Sequence, residues 1–339
     1  MAAGAGRGDL IQLTPAGLYC PAGDFHIDPW RPVARAVVTH AHGDHARRGH
    51  HVYYASHPSV PLLRRRLQRH ALILGAPYGH RFRLGDAWVS FHPAGHILGS
   101  AQVRVEHHGR VWVASGDYKR DDDPTCEPFE VVPCDTFITE ATFALPVYRW
   151  PPAASVAADI YRWWQECAAA GRTAVLFTYA LGKAQRILAE LRAFTDRSVC
   201  LHGAMAPMVA AYREAGVDLL PTATVSAYPA GHDFRGGLVL APPSAAGSTW
   251  MRRFRPESTG FASGWMRTRG HRRRRGYDRG FVVSDHADWP DLLRTIRETG
   301  ARRVLATHGR TDILVRYLRE EVGLDAAALE TAFEGEEAP

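Results

Sequence analysis

The sequence predicts an α/β protein interrupted by a second α/β unit, and three observations carry that prediction. The first third is rich in short apolar runs that end in turns. After Pro151 and Pro152 the pattern changes to helices alternating with strands. Near the C-terminal end strand-like runs return, and with no internal repeat they most simply complete the first domain.

Taken in order, the run Ala-Arg-Ala-Val-Val at 34–38 reads as a buried strand. It delivers the chain into Thr39-His40-Ala41-His42-Gly43-Asp44-His45. A second strand covers 87–91, and runs at 102–106 and 111–114 flank His107-His108-Gly109-Arg110 as a hairpin. Beyond the prolines, Ser155 caps a helix that runs through Ala170 and stops at Gly171. A strand at 174–177, a helix at 183–194, a strand at 199–201, a helix near 208–215 and a strand at 237–241 follow. Strands at 281–283 and 303–306 then come with helices at 289–298 and 312–321. These readings give a principal domain at 1–146 and 263–339 and an inserted one at 147–262.

The 339 residues are 46% hydrophobic and 22% charged, which allows one large domain with an insertion. A net charge of +6 and a pI near 9.2 lean toward a polyanionic partner. Cys20, Cys126, Cys134, Cys167 and Cys200 are widely spaced with no Cys-x-x-Cys pair, which fits a reducing cytoplasm. The opening residues lack an apolar signal core, and no window approaches the about 18 apolar residues of a membrane span. The expectation is a soluble cytoplasmic protein.

Three histidines and an aspartate within six residues, on a tight loop after a strand, can aim nitrogen and oxygen ligands at one small volume. Four further residues follow apolar runs and can reach the same sheet edge: His96, Asp117, His286 and His308. Gly95, Gly99, Gly116 and Gly309 flank them and permit the close turns this needs. The other histidines read as surface or packing residues. Residues 252–279 hold ten arginines against Glu257 and Asp278, and the run Arg272, Arg273, Arg274, Arg275 is a candidate track for a phosphate backbone, with Trp265 and Tyr277 nearby to stack on bases.

This constellation resembles the β-CASP nucleases of the metallo-β-lactamase superfamily, most closely the bacterial DNA ligase-associated exonucleases. Asp28, the 40–45 loop, His96 before Leu98-Gly99, Gly116-Asp117, Glu140, His286 and His308 follow the family's order. Thr178 to Gln185 is similar to the start of the family's cap, and Cys20 to Asp24 with Pro29 to Pro32 is similar to the ligase-associated subgroup. The resemblance spans nearly the whole chain. It implies an αββα sandwich with an inserted α/β cap, and a nucleic-acid substrate, DNA before RNA. It also implies functional association with an ATP-dependent DNA ligase and a helicase.

By the same resemblance His40, His42, His96 and Asp117 hold one divalent ion, and Asp44, His45, Asp117 and His308 hold the other. Two ions sharing a hydroxide can drive in-line attack on phosphate. Zinc and manganese both suit such ligands. His286 then stabilises developing charge or protonates the leaving oxygen, with Glu140 orienting it. Asp28 is either a brace for the histidine loop or a turn cap. An RNA-processing nuclease has the same site, and a small-molecule hydrolase shares the first motif. A non-catalytic scaffold would have lost ligands that this chain keeps.

Overall fold

The apolar runs of the first 148 residues and those after residue 285 pair into two mixed sheets. The computed structural model describes residues 8–268 and 276–332, and the chain forms two units, the second being Arg149–Asp285. In the first unit β1 (Gln12–Thr14), β2 (Gly17–Cys20), β3 (Phe25–Ile27), β4 (Arg35–Val37), β5 (Val52–Ser56) and β6 (Leu72–Ala76) lie side by side in sequence order. Pairing is antiparallel up to β3 and parallel beyond it.

The other sheet of this unit contains β7 (Phe82–Leu84), β8 (Ala87–Pro93), β9 (Ala101–His107), β10 (Arg110–Ala114), β11 (Thr136–Glu140), β18 (Arg303–Thr307) and β19 (Asp325–Ala328). Their spatial order is β19-β18-β11-β10-β9-β8-β7. Alternate residues of the two sheets, among them Leu18, Cys20 and Val37 on one and Val89, Phe91, Val103 and Ile138 on the other, share one core. The reverse face of the second sheet, with Val113, Phe137 and Val304, packs on α5 (Trp289–Thr299) and α6 (Thr311–Glu320). The helix α1 (Val60–Arg66) lies on β6. These layers make an αββα sandwich. The Asp288 side chain caps α5 by accepting from Asp291 N, and Gly300 ends it in the left-handed region.

The second unit has one sheet, of β12 (Thr173–Phe177), β13 (Val199–Leu201), β14 (Thr222–Thr224), β15 (Leu238–Ala241), β16 (Glu257–Ala262) and β17 (Arg279–Phe281). All pairs are parallel, in the order β14-β13-β15-β12-β16-β17. The helices α2 (Ala153–Ala169), α3 (Lys183–Glu190) and α4 (Ala206–Glu214) cover one face. The other face, with Val175, Phe177, Val239 and Ala241, is covered by 3-10 segments at Thr249–Phe254 and Gly264–Arg267.

Several boundaries differ from the sequence reading. The expected return to the first domain at 263 falls at 286, because β17 extends the inserted sheet by pairing with β16. Buried Lys183 also holds buried Asp285 at 3.2 Å, and Arg186 Nη1 donates to the Ser284 carbonyl at 2.7 Å. These bonds keep the stretch up to residue 285 with the inserted unit. Ser155 does not cap α2, which starts two residues earlier, and its hydroxyl donates to the Pro152 carbonyl instead. The helix expected over 183–194 tightens to a 3-10 turn at Leu191–Ala193. Arg272 to Arg275 lie outside the described residues. Among the described residues no helix is long and apolar enough to cross a membrane.

Candidate active site

Strand direction in the first unit brings distant segments to one edge. β8, β10, β11 and β18 all run the same way. Glu140 ends β11, and His96, Asp117 and His308 lie just beyond the other three. The loop after β4 supplies His40 to His45. Two glycines make the turns possible. At Gly116 (φ 57°) a Cβ atom would lie 2.6 Å from Thr39 Cβ, and at Gly309 (φ 61°) one would lie 2.3 Å from the Ala141 carbonyl oxygen. His308 itself has φ 61°, a conformation that costs a non-glycine residue about 1–3 kcal/mol and persists where packing enforces it.

His40, His42, His96 and Asp117 each offer a donor atom, all within 4.8 Å of one another. Asp44, His45 and His308 form a second such group, and Asp117, Glu140 and His286 a third. The Asp117 carboxylate faces both histidine groups. Its Oδ2 lies 3.6 Å from His40 Nε2, 3.8 Å from His96 Nε2 and 3.5 Å from His45 Nε2.

The donor set fits divalent cations. Among the described residues His40 Nε2 and Asp117 Oδ1, both buried, have no hydrogen-bond partner, whereas interior polar atoms normally have one. His45 faces three carboxylates, Asp28 at 2.7 Å, Asp117 at 3.5 Å and Asp44 at 3.7 Å. That surplus of buried negative charge is what a bound cation offsets.

Burial, with His45 next to it, drives His40 well below the usual imidazole range, so it keeps a lone pair to give at neutral pH. Burial likewise lowers His308 to about 4. For Asp117 burial acts upward, but His45, His286 and His40 outweigh it and hold the carboxyl well below its usual range. At Glu140 burial prevails over His286 and the pKa is raised. His45 goes up despite burial, because Asp117, Asp44 and Asp28 surround it.

A supporting layer fixes these groups. Asp28 Oδ1 accepts from Thr39 N at 2.8 Å, and Oδ2 accepts from the Thr39 hydroxyl at 2.5 Å and pairs with His45 Nδ1 at 2.7 Å. Asp28 therefore braces the histidine loop. Glu140 Oε2 pairs with His286 Nδ1 at 2.9 Å, and its Oε1 accepts from Tyr118 N at 2.7 Å. Sequence reasoning missed Thr39 and Ser100, whose hydroxyl accepts from His96 N at 3.0 Å. Their one signal is adjacency to the histidine motifs, since a hydroxyl carries no spacing pattern of its own.

The αββα sandwich, with imidazole and carboxylate donors gathered at the strand ends, defines a protein of the metallo-β-lactamase fold. No family model matches the chain. It is 35% identical over 321 residues to "Probable DNA ligase" of Opitutus terrae, which is 92% of this chain and 30% of that protein. It is 27% identical over 191 residues to "Ribonuclease TTHA0252" of Thermus thermophilus, 48% of this chain and 44% of that one. A third relative, "Endoribonuclease ysh1" of Aspergillus fumigatus, is 32% identical over 99 residues, 28% of this chain and 11% of its own.

The chain is similar to the β-CASP nucleases of the metallo-β-lactamase fold, and spans less than half the length of each of these relatives. A crystal structure described as "a Protein of Unknown Function" from Enterococcus faecalis V583 superposes with a TM-score of 0.57 at 13% identity, over 80% of this chain and 74% of that one. That likeness is one of fold alone.

Proposed function

We propose that the chain is a metal-dependent phosphodiesterase that cuts nucleic acid, acting on DNA from a strand end in repair or end processing. The observation that carries this reading is the meeting of two donor groups on one carboxylate, Asp117, with the His286 and Glu140 pair beside them. His40, His42, His96 and Asp117 would hold one divalent ion, and Asp44, His45, Asp117 and His308 the other. Their mixed nitrogen and oxygen donors suit zinc and accept manganese. When bound, the ions supply Lewis acidity toward the phosphodiester and make water acidic enough to serve as nucleophile near neutral pH.

The chain's own residues do the rest. Asp28 accepts the hydrogen bond of the His45 Nδ1 proton, which fixes the tautomer that leaves Nε2 as donor. Glu140 does the same for His286 and stabilises it when charged, so His286 can hand a proton to the leaving oxygen. The DNA preference is supported by the relative named as a DNA ligase, which matches 92% of this chain. That relative also motivates association with an ATP-dependent ligase, with a helicase by family resemblance. The five free cysteines accord with a cytoplasmic setting.

RNA is the second reading, favoured by the two relatives named as ribonucleases. The test is incubation of zinc- or manganese-loaded protein with end-labelled DNA and matched RNA. Stepwise shortening of DNA supports the proposal. Cleavage of RNA alone would move the assignment to the second reading, and inertness toward both would end it.

A further inference from the structure

Helices close one face of the inserted unit's sheet, while on the other face 3-10 segments and loops bring aromatic rings to the surface. There a concavity of about 470 Å³ is lined by Val225, Tyr228, His232, Phe234 and Arg253, a size that small-molecule sites share. Its rings are held in place. Tyr228 and His232 stack with centroids 4.4 Å and planes 30° apart. Phe234 meets them edge-on at 5.4 and 4.6 Å and rests on Phe254 at 5.1 Å. The array needs no ordering when a ligand arrives.

An exposed guanidinium lines the concavity. Arg253 is exposed, as are Arg252 and Arg255, and among the described residues none of the three has a carboxylate partner within ion-pair distance. Asp233, the acid of the same loop, is tied to Arg235 at distances of 2.6 and 2.9 Å. Stacked rings in a concave site beside an uncompensated guanidinium combine the two chemistries that an unpaired nucleotide offers, a base face and a phosphate.

We propose that this concavity seats one nucleotide of a single strand, its base added to the His232 and Tyr228 stack and its phosphate on Arg253. The inference rests on the reading of the chain as a nucleic-acid nuclease and extends it from the metal site to the grip on the strand. A free mononucleotide carries the same base and phosphate, so the experiment must separate the two sources.

His232→Ala and Arg253→Gln alter exposed side chains that the fold does not need, and thermal melts verify that they are folded. Both are made in a His286→Ala background so that the strand stays whole, and binding of a short labelled oligodeoxythymidylate is followed by fluorescence anisotropy. Each variant should bind about tenfold more weakly. Arg253→Gln should also lower the log-log salt slope by about 0.7. His232→Tyr, which keeps a stacking ring, should retain affinity, and Phe194→Ala, an exposed ring elsewhere in the unit, should change nothing.

Unchanged binding in the folded His232 and Arg253 variants overturns the inference, and if the native chain still cuts nucleic acid, it falls alone. Competition by a mononucleotide as effective as by the oligonucleotide overturns the strand assignment in favour of a free nucleotide. If the parent binds neither DNA nor RNA, this inference and the proposed function fall together.

Discussion

Glu140→Gln keeps the shape of the buried side chain and removes its charge. In the native protein Oε1 accepts from the buried Tyr118 N–H at 2.7 Å while Oε2 faces His286 Nδ1 at 2.9 Å. A glutamine has one oxygen to meet both donors. The Tyr118 N–H cannot turn away, so the amide oxygen should stay with it and the amide nitrogen should face His286. That reverses the ring's tautomer and leaves a charged imidazole without its counterion.

At an effective dielectric constant of about 20 and a charge separation of about 4 Å, the lost attraction is about 4 kcal/mol, or roughly a thousandfold in rate. The assay is single-turnover cleavage of end-labelled DNA by metal-loaded protein, with metal content measured on the same sample; the small phosphodiester bis-p-nitrophenyl phosphate, whose phenolate leaves without a proton, should be much less affected. The expected result is that fall in rate with both ions retained. A variant of native activity would refute the proposed role of the pair. Loss of metal with activity would place Glu140 among the ligands instead.

Asp117→Ala should abolish hydrolysis and release metal from both groups, since one carboxylate faces both; two tightly held ions in the variant would refute the shared-ligand reading. Replacing Arg272 to Arg275, which lie outside the described residues, with alanine should weaken single-stranded DNA binding and lower the salt slope by about 0.7 for each phosphate no longer neutralised. Hydrolysis of the small phosphodiester should survive that change, and an equal fall in both would mark the run as structural. Asp291 is pushed up to about 6 by burial, Asp288 and Asp121, so the folded state holds its proton more tightly than the unfolded chain, where the pKa is about 3.9. The associated stability is complete below the unfolded value and is lost as pH rises through the folded one. Asp291→Asn should therefore melt higher than the native chain at about pH 8 and equally at about pH 4, and equal melting at both would refute this.

The donor loop is legible in the sequence because metal chemistry confines histidine and aspartate to short spacings at a strand end, as at His40 to His45. The longer strands are legible for a similar reason, since the run ending at Phe177 and the hairpin around Gly109 carry apolar patterns bounded by turn residues. The inserted unit's limit is not. A three-residue strand such as β17 gives too few residues for a period, and its membership is decided by partners remote in sequence, β16 and the Lys183 ion pair with Asp285. The concavity around Tyr228 and His232 is also invisible in the sequence, where His232 reads only as a surface or packing residue.

The pairing of β11 with β18 sets an order on assembly. Thr136 to Glu140 match Arg303 to Thr307 in parallel register, with the whole inserted unit lying between them in the chain. Strands so far apart in sequence pair late, because loop entropy must be met before they join. During synthesis the histidine loop and Asp117 emerge early, yet His286 and His308 arrive only with the final strands. A nascent chain thus carries an unpaired β11 edge and an unfinished set of donor atoms until β18 and His308 have been made.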